Sequence, residues 1–487
     1  MKRLFRLALC AGLLAALLCT PALAAETEDG ATPAPQGDFA VLVNGETVSF
    51  PDATPQMKDN RSCLPFVAVF DALGFPQENV TWDNDTRTVT ATRGDTTVSL
   101  TIGQTQISLT QGEETATYET DVAPYLADNR TYIPVGLVAD VLGYRVGWDN
   151  LTRTVIIDDV DAILAANTAT YDLMDRYLDY GRRFSGGNQQ VTGSYALNFS
   201  LDAAPAEGGG SFTFDLSGDY EELVANQSAL QFTTELDMDY TATLDGEDLA
   251  GQLDADGLAL PGPIQLELRG DALDGTFYLH MDGEGLAELT GWDTSLWYKL
   301  DLRTLYDQVY GAGFYDQLMA LASATTEMDF ADTLALMLQT TPLTSAQFTT
   351  TDALALYNAM FADSAFERSG ANYVNTFFEE LGLPCTFTLY TSGNQVTGYG
   401  LEMSAAVEGV TLSLDAQMRG QTMEMDMGLQ LDGGEDFSMA LTMTMDGTYR
   451  TTTAQPETEP PAGATWVDPL ATEAGGSAGA SASELAA

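Results

Sequence analysis

At 487 residues the chain is too long for one ordinary hydrophobic core, so two or three domains are expected. Its 71 Asp and Glu against 19 Lys and Arg give a net charge of −52, a field that repels phosphate backbones and anionic membrane surfaces and excludes nucleic acid as a partner. Cationic partners stay open, including metal ions and basic cell-wall polymers, beside the plainer reading that the charge serves solubility outside a cell. One histidine and four cysteines argue against a disulfide framework and against any site built from several imidazoles.

Lys2, Arg3 and Arg6 precede an apolar run from Leu7 to Leu18, and Ala22-Leu23-Ala24 supplies small residues. That order predicts a signal peptide over residues 1–24, with cleavage near Ala24 and a product that is secreted, extracellular or associated with the cell surface. Cleavage removes three basic residues and no acid, which makes the mature chain still more negative, and leaves only Cys63 and Cys385. Cys19 is a poor lipid-anchor site because the bulky Leu18 precedes it. No other run approaches the roughly 18 apolar residues needed to span a bilayer, so no transmembrane segment is expected. Residues 25–37, rich in Ala, Thr, Pro, Glu and Gly, read as a flexible lead-in.

Between residues 38 and 158 one pattern is written twice. Asp59-Asn60-Arg61-Ser62-Cys63-Leu64-Pro65 is echoed by Asp128-Asn129-Arg130-Thr131-Tyr132-Ile133-Pro134, then Leu73-Gly74 by Leu142-Gly143, then Trp82-Asp83-Asn84-Asp85-Thr86-Arg87-Thr88-Val89 by Trp148-Asp149-Asn150-Leu151-Thr152-Arg153-Thr154-Val155. Each copy predicts a helix with Pro65 or Pro134 in its first turn, spanning Phe66 to Leu73 or Val135 to Leu142. Gly74 or Gly143 stops it. Paired strands follow, joined by a polar turn, and a strand at Ala40 to Val43 precedes a turn at Asn44-Gly45. One such unit is too small to bury enough surface, so two should share a core.

The duplicated Asn-Arg-x-x-x-Pro, Leu-Gly and Trp-Asp-x-x-Thr-Arg-Thr-Val signatures resemble the copper amine oxidase N-terminal domain family, the stalk domain of many secreted bacterial proteins. The resemblance covers residues 40–158; Ser62-Cys63 departs from the usual Thr-aromatic or Thr-aliphatic pair. It implies a non-catalytic module in which Asn60, Arg61, Pro65, Gly74, Trp82, Asp83, Asn129, Arg130, Pro134, Gly143, Trp148 and Asp149 are structural motif residues. The family's oxidase members hold copper with three histidines in another domain. With His280 as the one histidine, that chemistry is not expected here.

Ile163 to Leu178 carries apolar residues at helical spacing and should join the repeats to the next domain. From there to about residue 450, period-2 alternation at Phe212-Phe214-Leu216, Leu230 to Tyr240, Ile264-Leu266-Leu268, Phe277-Leu279-Met281, Leu412-Leu414 and Met423-Met425-Met427 predicts a large antiparallel sheet with one wet face. Helices are expected within about 302–381, closed by Gly382 and Pro384. Thr451 to Ala487, with Pro456, Pro460 and Pro461, reads as a disordered tail lacking a sortase-type signal. The fold class is therefore α+β: a small tandem-repeat stalk domain, its sheet wrapped on helices, over 38–158, then a β-rich domain over 159–450 with a helical insertion, loosely similar to lipoprotein-carrier-like curved-sheet folds.

Met423, Met425, Met427, Met439, Met443 and Met445 alternate on two strands. Thioethers suit Cu(I), but in register with Leu429, Leu431 and Leu441 they read more simply as a sheet's buried face, or as one wall for an apolar ligand. Asp245-Gly246-Glu247-Asp248 and Asp254-Ala255-Asp256-Gly257 lack EF-hand spacing and suit hairpin tips. His280 falls on the polar parity of its strand, with no Gly-x-Ser-x-Gly elbow in the chain. Paired carboxylates for a hydrolase cannot be nominated among so many acids. No catalytic residue, metal site or cofactor is expected. The leading expectation is a non-catalytic exported cell-envelope or extracellular protein whose stalk is an interaction or spacer module for an unknown partner. The alternatives are a carrier of an apolar or lipid-like ligand in the β-rich domain and, last, a carboxylate hydrolase.

Overall fold

The computed structural model describes residues 38–59, 61–120, 122–184, 187–203, 209–226, 228–245, 247–248, 262–287, 291–324, 327–379, 383–407, 409–434 and 437–469. The expected signal and lead-in, Asn60, the acidic run at 254–257, Gly246, Gly382 and residues 470–487 lie outside the described residues. The chain is β-rich, with several sheets and a smaller share of helix, and forms two compact units. Of the described residues, one unit comprises those up to Thr170 together with Ala331–Ala359; the other comprises those in Tyr171–Phe330 and from Met360 onward.

In the first unit the elements run β1 (Ala40–Val43), β2 (Glu46–Thr47), β3 (Gln56–Lys58), β4 (Arg61–Pro65), α1 (Phe66–Ala72), β5 (Val80–Asp83), β6 (Thr88–Arg93), β7 (Thr96–Thr101), β8 (Gln106–Gln111), β9 (Glu114–Glu119), β10 (Tyr125–Ala127), β11 (Arg130–Pro134), α2 (Gly136–Leu142), β12 (Arg145–Asp149), β13 (Thr154–Asp158) and α3 (Val160–Ala166). They build sheets of order β12-β13-β1-β2, β10-β11-β4-β3 and β5-β6-β7-β8-β9. The two Asn-Arg-x-x-x-Pro strands pair with each other, Ile133 opposite Leu64 and Pro134 opposite Cys63. β1 lies parallel to β13, Ala40 beside Thr154 and Val43 beside Ile157, so the first strand is stitched to the last. One buried cluster runs through Leu64, Phe66, Phe70, Val89, Ile133 and Ile157.

The helix stop at Gly74 has a full set of partners. Gly74 adopts φ +78°, its N–H donates to the Asp71 carbonyl at 2.9 Å, and the Phe75 N–H donates to the Phe70 carbonyl at 2.8 Å. This is the Schellman arrangement, with its expected apolar contact present as Phe70 and Phe75 rings 5.0 Å apart. Pro65 corrects the expected helix start. It caps α1 and ends strand β4, and its φ of −59° with ψ of 117° is extended rather than helical.

The second unit contains α4 (Asp172–Arg182), β14 (Asn188–Ala203), β15 (Gly210–Ala225), β16 (Ala229–Leu244), β17 (Glu247–Asp248), β18 (Ile264–Asp271), β19 (Thr276–Asp282), β20 (Leu296–Asp301), α5 (Leu302–Tyr310) and α6 (Phe314–Ala324). Next come α7 (Phe330–Thr340) and α8 (Thr350–Phe361), which run into the first unit and out of it. The second unit then resumes with β21 (Glu367–Ser369), β22 (Asn372–Phe377), β23 (Cys385–Ser392), β24 (Gln395–Val407), β25 (Val410–Arg419), β26 (Thr422–Asp432), β27 (Phe437–Thr452) and β28 (Thr465–Val467). Its strands form one fifteen-stranded sheet of order β21-β22-β23-β24-β25-β26-β27-β14-β15-β16-β18-β19-β20-β28, with β17 beside β16. The helix α4 seats Tyr177 against Phe387 and Tyr399, ring centroids 5.8 and 5.2 Å away. Tyr180 donates to the Gly420 carbonyl at 2.8 Å.

Four sequence expectations change. The joining helix is two helices, α3 and α4, because Asn167 turns extended after α3. Residues 367–377, expected as helix, form the hairpin β21–β22 around Gly370 at φ +63°. The tail is laid down as far as residue 469: Glu457 and the Glu459 carbonyl meet Arg269, and β28 runs parallel to β20. The helical block is divided, with 331–359 packed into the first unit. Apolar helical spacing says that a face is buried; it does not say which sheet covers it.

That returning segment explains a difference between the two repeats. Leu42 and Ile156, on the face of β1 and β13 turned from the main core, pack with Leu343 and Ala346. A Cβ on Gly147 would lie 2.0 Å from the Leu343 carbonyl oxygen, so only glycine admits the segment there. The first copy has Thr81 and Thr90 at the positions of Gly147 and Ile156. Its outer face is a hydroxyl ladder, with Thr88 on Thr101 at 2.7 Å and Thr90 on Ser99 at 2.9 Å. Replacing Gly147→Thr, the first copy's residue, is expected to cost about 1–3 kcal/mol by overpacking and to speed proteolysis within 341–349. An unchanged denaturation midpoint would show that the segment does not seat there.

Candidate functional site

The alternation of the large sheet separates two chemically opposite faces. Along the apolar face side chains line up across seven strands from β16 to β24. One row is Met238, Leu216, Leu197, Met443, Met427, Leu414 and Met403; the next is Tyr240, Phe214, Phe199, Leu441, Leu429, Leu412 and Ala405. A third holds Ala242, Phe212, Leu201, Met439, Leu431 and Val410. At one end α4 covers this face, and Tyr399, Met418 and Tyr449 are buried there. At the other end the rows are mostly half-buried, and Leu201 (37%), Leu244 (47%), Met427 (39%) and Phe437 (40%) are exposed. The methionines do share a face with Leu429, Leu431 and Leu441, but it is an open face rather than the buried one expected.

The opposite face is acidic. A groove of about 880 Å³ crosses strands β27, β14, β15, β16, β18 and β19, lined by Asp446, Asp219, Glu221, Glu235, Glu267, Asp282 and His280 among others. Several of its carboxylates are occupied: Glu267 accepts from Gln231 Nε2 and Arg269 Nε, both at 2.7 Å, and Asp446 accepts from the Ser194 hydroxyl. His280 is not the exposed strand histidine expected. Its Nε2 lies 3.0 Å from the Thr294 carbonyl and its ring sits 5.0 Å from Trp297. Ser194 and His280 stand four strands apart, roughly 19 Å at ordinary strand spacing, far beyond the reach of a base on its nucleophile. Among the described residues no group of three or more His, Cys, Asp or Glu is placed to hold a metal ion.

The motif residues fall at turns and strand ends of the first unit. Asp83 Oδ1 accepts from the N–H groups of Asp85 at 2.8 Å and Thr86 at 3.3 Å; Asp149 Oδ1 accepts from Leu151 at 2.8 Å and Thr152 at 3.2 Å. These backbone donors hold the Asp83 carboxyl below the usual range. Each turn then closes on an arginine in the left-handed region, Arg87 at φ +56° and Arg153 at φ +53°. Asn129, at φ +61°, makes the other turn, while Arg130 lies 3.9 Å from Asp52 and is largely exposed. Trp148 packs on Phe39 and donates to Asn150 Oδ1 at 2.8 Å, whereas Trp82 is exposed. Arg61, Pro65, Gly74, Pro134 and Gly143 occupy the strands and helix ends already described.

Asp149 has a second task. Its Oδ2 accepts the Ala346 N–H at 2.9 Å, tying the returning segment to the second repeat. Burial pushes its pKa up, but the hydrogen bonds from Ala346, Thr152 and Leu151 outweigh it and the carboxyl titrates low. Asp158, wholly buried, accepts from the Thr350 hydroxyl through Oδ2, while its Oδ1 has no hydrogen-bond partner among the described residues. Burial raises its pKa despite Thr350 and the nearby Arg145. Gly147, Asp158 and Thr350 were not singled out in the sequence; the contrast of Gly147 with Thr81 was the available signal.

Residues 42–157 match the copper amine oxidase N-terminal domain family, and this part of the chain is a domain of that kind. No curated protein matches the sequence. Among solved structures, one of lipovitellin, described by its lipid–protein interactions, is 10% identical over 56% of this chain and 26% of its own, with a TM-score of 0.20. The translocator domain of the autotransporter NalP from Neisseria meningitidis is 7% identical over 58% of this chain and 99% of its own, with a TM-score of 0.14. This chain thus spans about a quarter of the lipovitellin chain, and similarity at either score does not define a shared fold. No described helix is long and apolar enough to cross a membrane.

The two aspartates give opposite pH signatures. Asp149, held low, contributes stability above the ordinary carboxylate range and loses it as pH falls through its depressed value. Asp158, held high, contributes stability below that range and loses it as pH rises through its raised value. Asp158→Asn should therefore remove a gain in denaturation midpoint that the parent shows as pH falls below Asp158's raised value towards the ordinary carboxylate range. Identical profiles for the two proteins would contradict this.

Proposed function

We propose that the chain is a non-catalytic exported binding protein, in which the copper amine oxidase N-terminal-type domain is a spacer and interaction stalk and the large sheet carries the binding surface. The observation behind this reading is the half-exposed apolar face built by residues 197–201, 212–216, 236–244, 410–414, 425–431 and 437–443. Water-facing rows of Leu, Met and Phe cost free energy at about 25 cal/mol per Å², and a patch beyond several hundred Å² marks an interaction site more often than plain surface. The stalk role rests on its family, whose domain is non-catalytic, and on motif residues spent on turns. The exported location rests on the amino-terminal sequence.

An enclosed lipid carrier fits less well, because a carrier cavity buries most of its ligand and this face is open. A carboxylate hydrolase has groove acids to draw on, but Glu267 and Asp446 are committed to Arg269, Gln231 and Ser194. An apolar fluorescent dye such as N-phenyl-1-naphthylamine should bind the mature chain with enhanced emission. Met427→Glu or Leu429→Glu, each placing a carboxylate in the middle row or beside it, should weaken that binding about tenfold or more, the loss of one buried apolar contact plus a desolvated charge. No enhancement with the parent chain at a dilution where it is monomeric would refute the binding surface.

A further inference from the structure

Resting on that reading of the apolar face, we propose that its occupant is a second copy of this chain, the two sheets packing face to face in a two-fold dimer. Size is the first support. Seven strands about 4.8 Å apart and three side-chain rows about 6.8 Å apart, with part of a fourth at Leu244 and Phe437, cover roughly 800 Å². Two copies would bury roughly 1,600 Å², the size of a standard stable interface. A single acyl chain laid on an open sheet would cover only a strip of it and would itself stay half in water.

The layout of the face is the second support. Its two halves differ: β14 to β16 carry Phe199, Phe212, Phe214 and Tyr240, with Phe199–Phe212 and Phe212–Tyr240 centroids 6.1 and 6.3 Å apart. The other half, β25 to β27, carries the methionines, Met425 opposite Met445 and Met427 opposite Met443. Sheets that pack face to face keep their strands within about 30° of each other. A two-fold axis in the interface plane, parallel to the strands and between β14 and β27, meets that condition. It sets β15 of one copy over β26 of the other, and so the aromatic half of each copy over the methionine half of its mate. Thioether–aromatic contacts are favourable, and methionine adapts to irregular surfaces.

Charge segregation is the third support. In the same strands Asp215, Asp237, Asp239, Asp415 and Asp426 alternate with the apolar residues and point to the other face. Packing the apolar faces about 10 Å apart leaves those carboxylates on the two outer surfaces, separated by more than the roughly 8 Å screening length at physiological salt. Like charge therefore opposes the dimer weakly, and less as salt rises.

Sedimentation velocity on the mature full chain tests the proposal. A species of twice the chain mass is expected, with tighter association at about 0.5 M than at about 0.05 M salt. Met427→Glu and Phe214→Glu should each weaken association at least tenfold with an unchanged circular dichroism spectrum, whereas Asp426→Asn on the outer face should not. A second measurement is independent of affinity: Phe214→Cys and Leu429→Cys, made on separate chains, should be joined into a mixed dimer by a short bismaleimide cross-linker, which spans the gap between facing sheets where a direct disulfide would not reach, in preference to either like pair. A monomer at all salts, or a dimer untouched by Met427→Glu, overturns the proposal. A monomer that still binds the apolar dye at this face leaves the binding-surface reading standing, and a monomer that binds no dye ends both.

Discussion

A sheet whose strands alternate apolar and polar residues must put something over its apolar face, and that requirement organises this chain. In the first unit it is met from within. Two copies of a small motif place Leu64, Phe66, Phe70, Ile133 and Ile157 in one cluster, and the pairing of β1 with β13 ties the ends together. In the second unit α4 covers one end of the large sheet and leaves rows of Leu, Met and Phe half in water at the other. The surface left over is where the functional reading lies, because apolar burial is the strongest force available to so acidic a chain.

The two copies of the sequence motif also do different work. Both keep the Asp-centred turn, in which a carboxylate oxygen gathers two backbone N–H groups, and both end it on an arginine at positive φ. In the second copy Asp149 extends its other oxygen to Ala346, and exchange of the Thr81 and Thr90 types for Gly147 and Ile156 turns a hydroxyl ladder into a seat for Leu343. A residue shared by both motifs thus has a local role in one repeat and a long-range role in the other. The buried Asp158 beside Thr350 makes that seat respond to proton concentration in the opposite sense from Asp149.

Much of this was legible in the residues, and what was not has physical causes. Period-2 alternation placed β15, β16, β18, β19, β25 and β26, the glycine stop after Leu73 followed from local chemistry that needs no partner, and the domain family followed from the resemblance of the duplicated signatures. The hairpin at 367–377 was lost because Phe366 to Leu381 also carries apolar residues at near-helical spacing. Pro65 was placed one position too far along because proline suits a strand end as well as a helix start. The destination of residues 331–359 was invisible, since it depends on a missing side chain at Gly147 nearly 200 positions earlier. Alternation likewise showed that the methionines share a face, but whether anything covers that face depends on elements far away in sequence.

On the proposed reading the methionine and leucine rows are uncovered within one chain and become covered by a second surface. Mild peroxide oxidation read by mass spectrometry measures this residue by residue. In dilute protein Met427, Met439 and Met443 should oxidise well ahead of the fully buried Met174, and their rates should fall as protein concentration rises while the rate for Met174 stays constant. If the three react as slowly as Met174 even at the highest dilution, the face is already covered within the chain and the account is wrong.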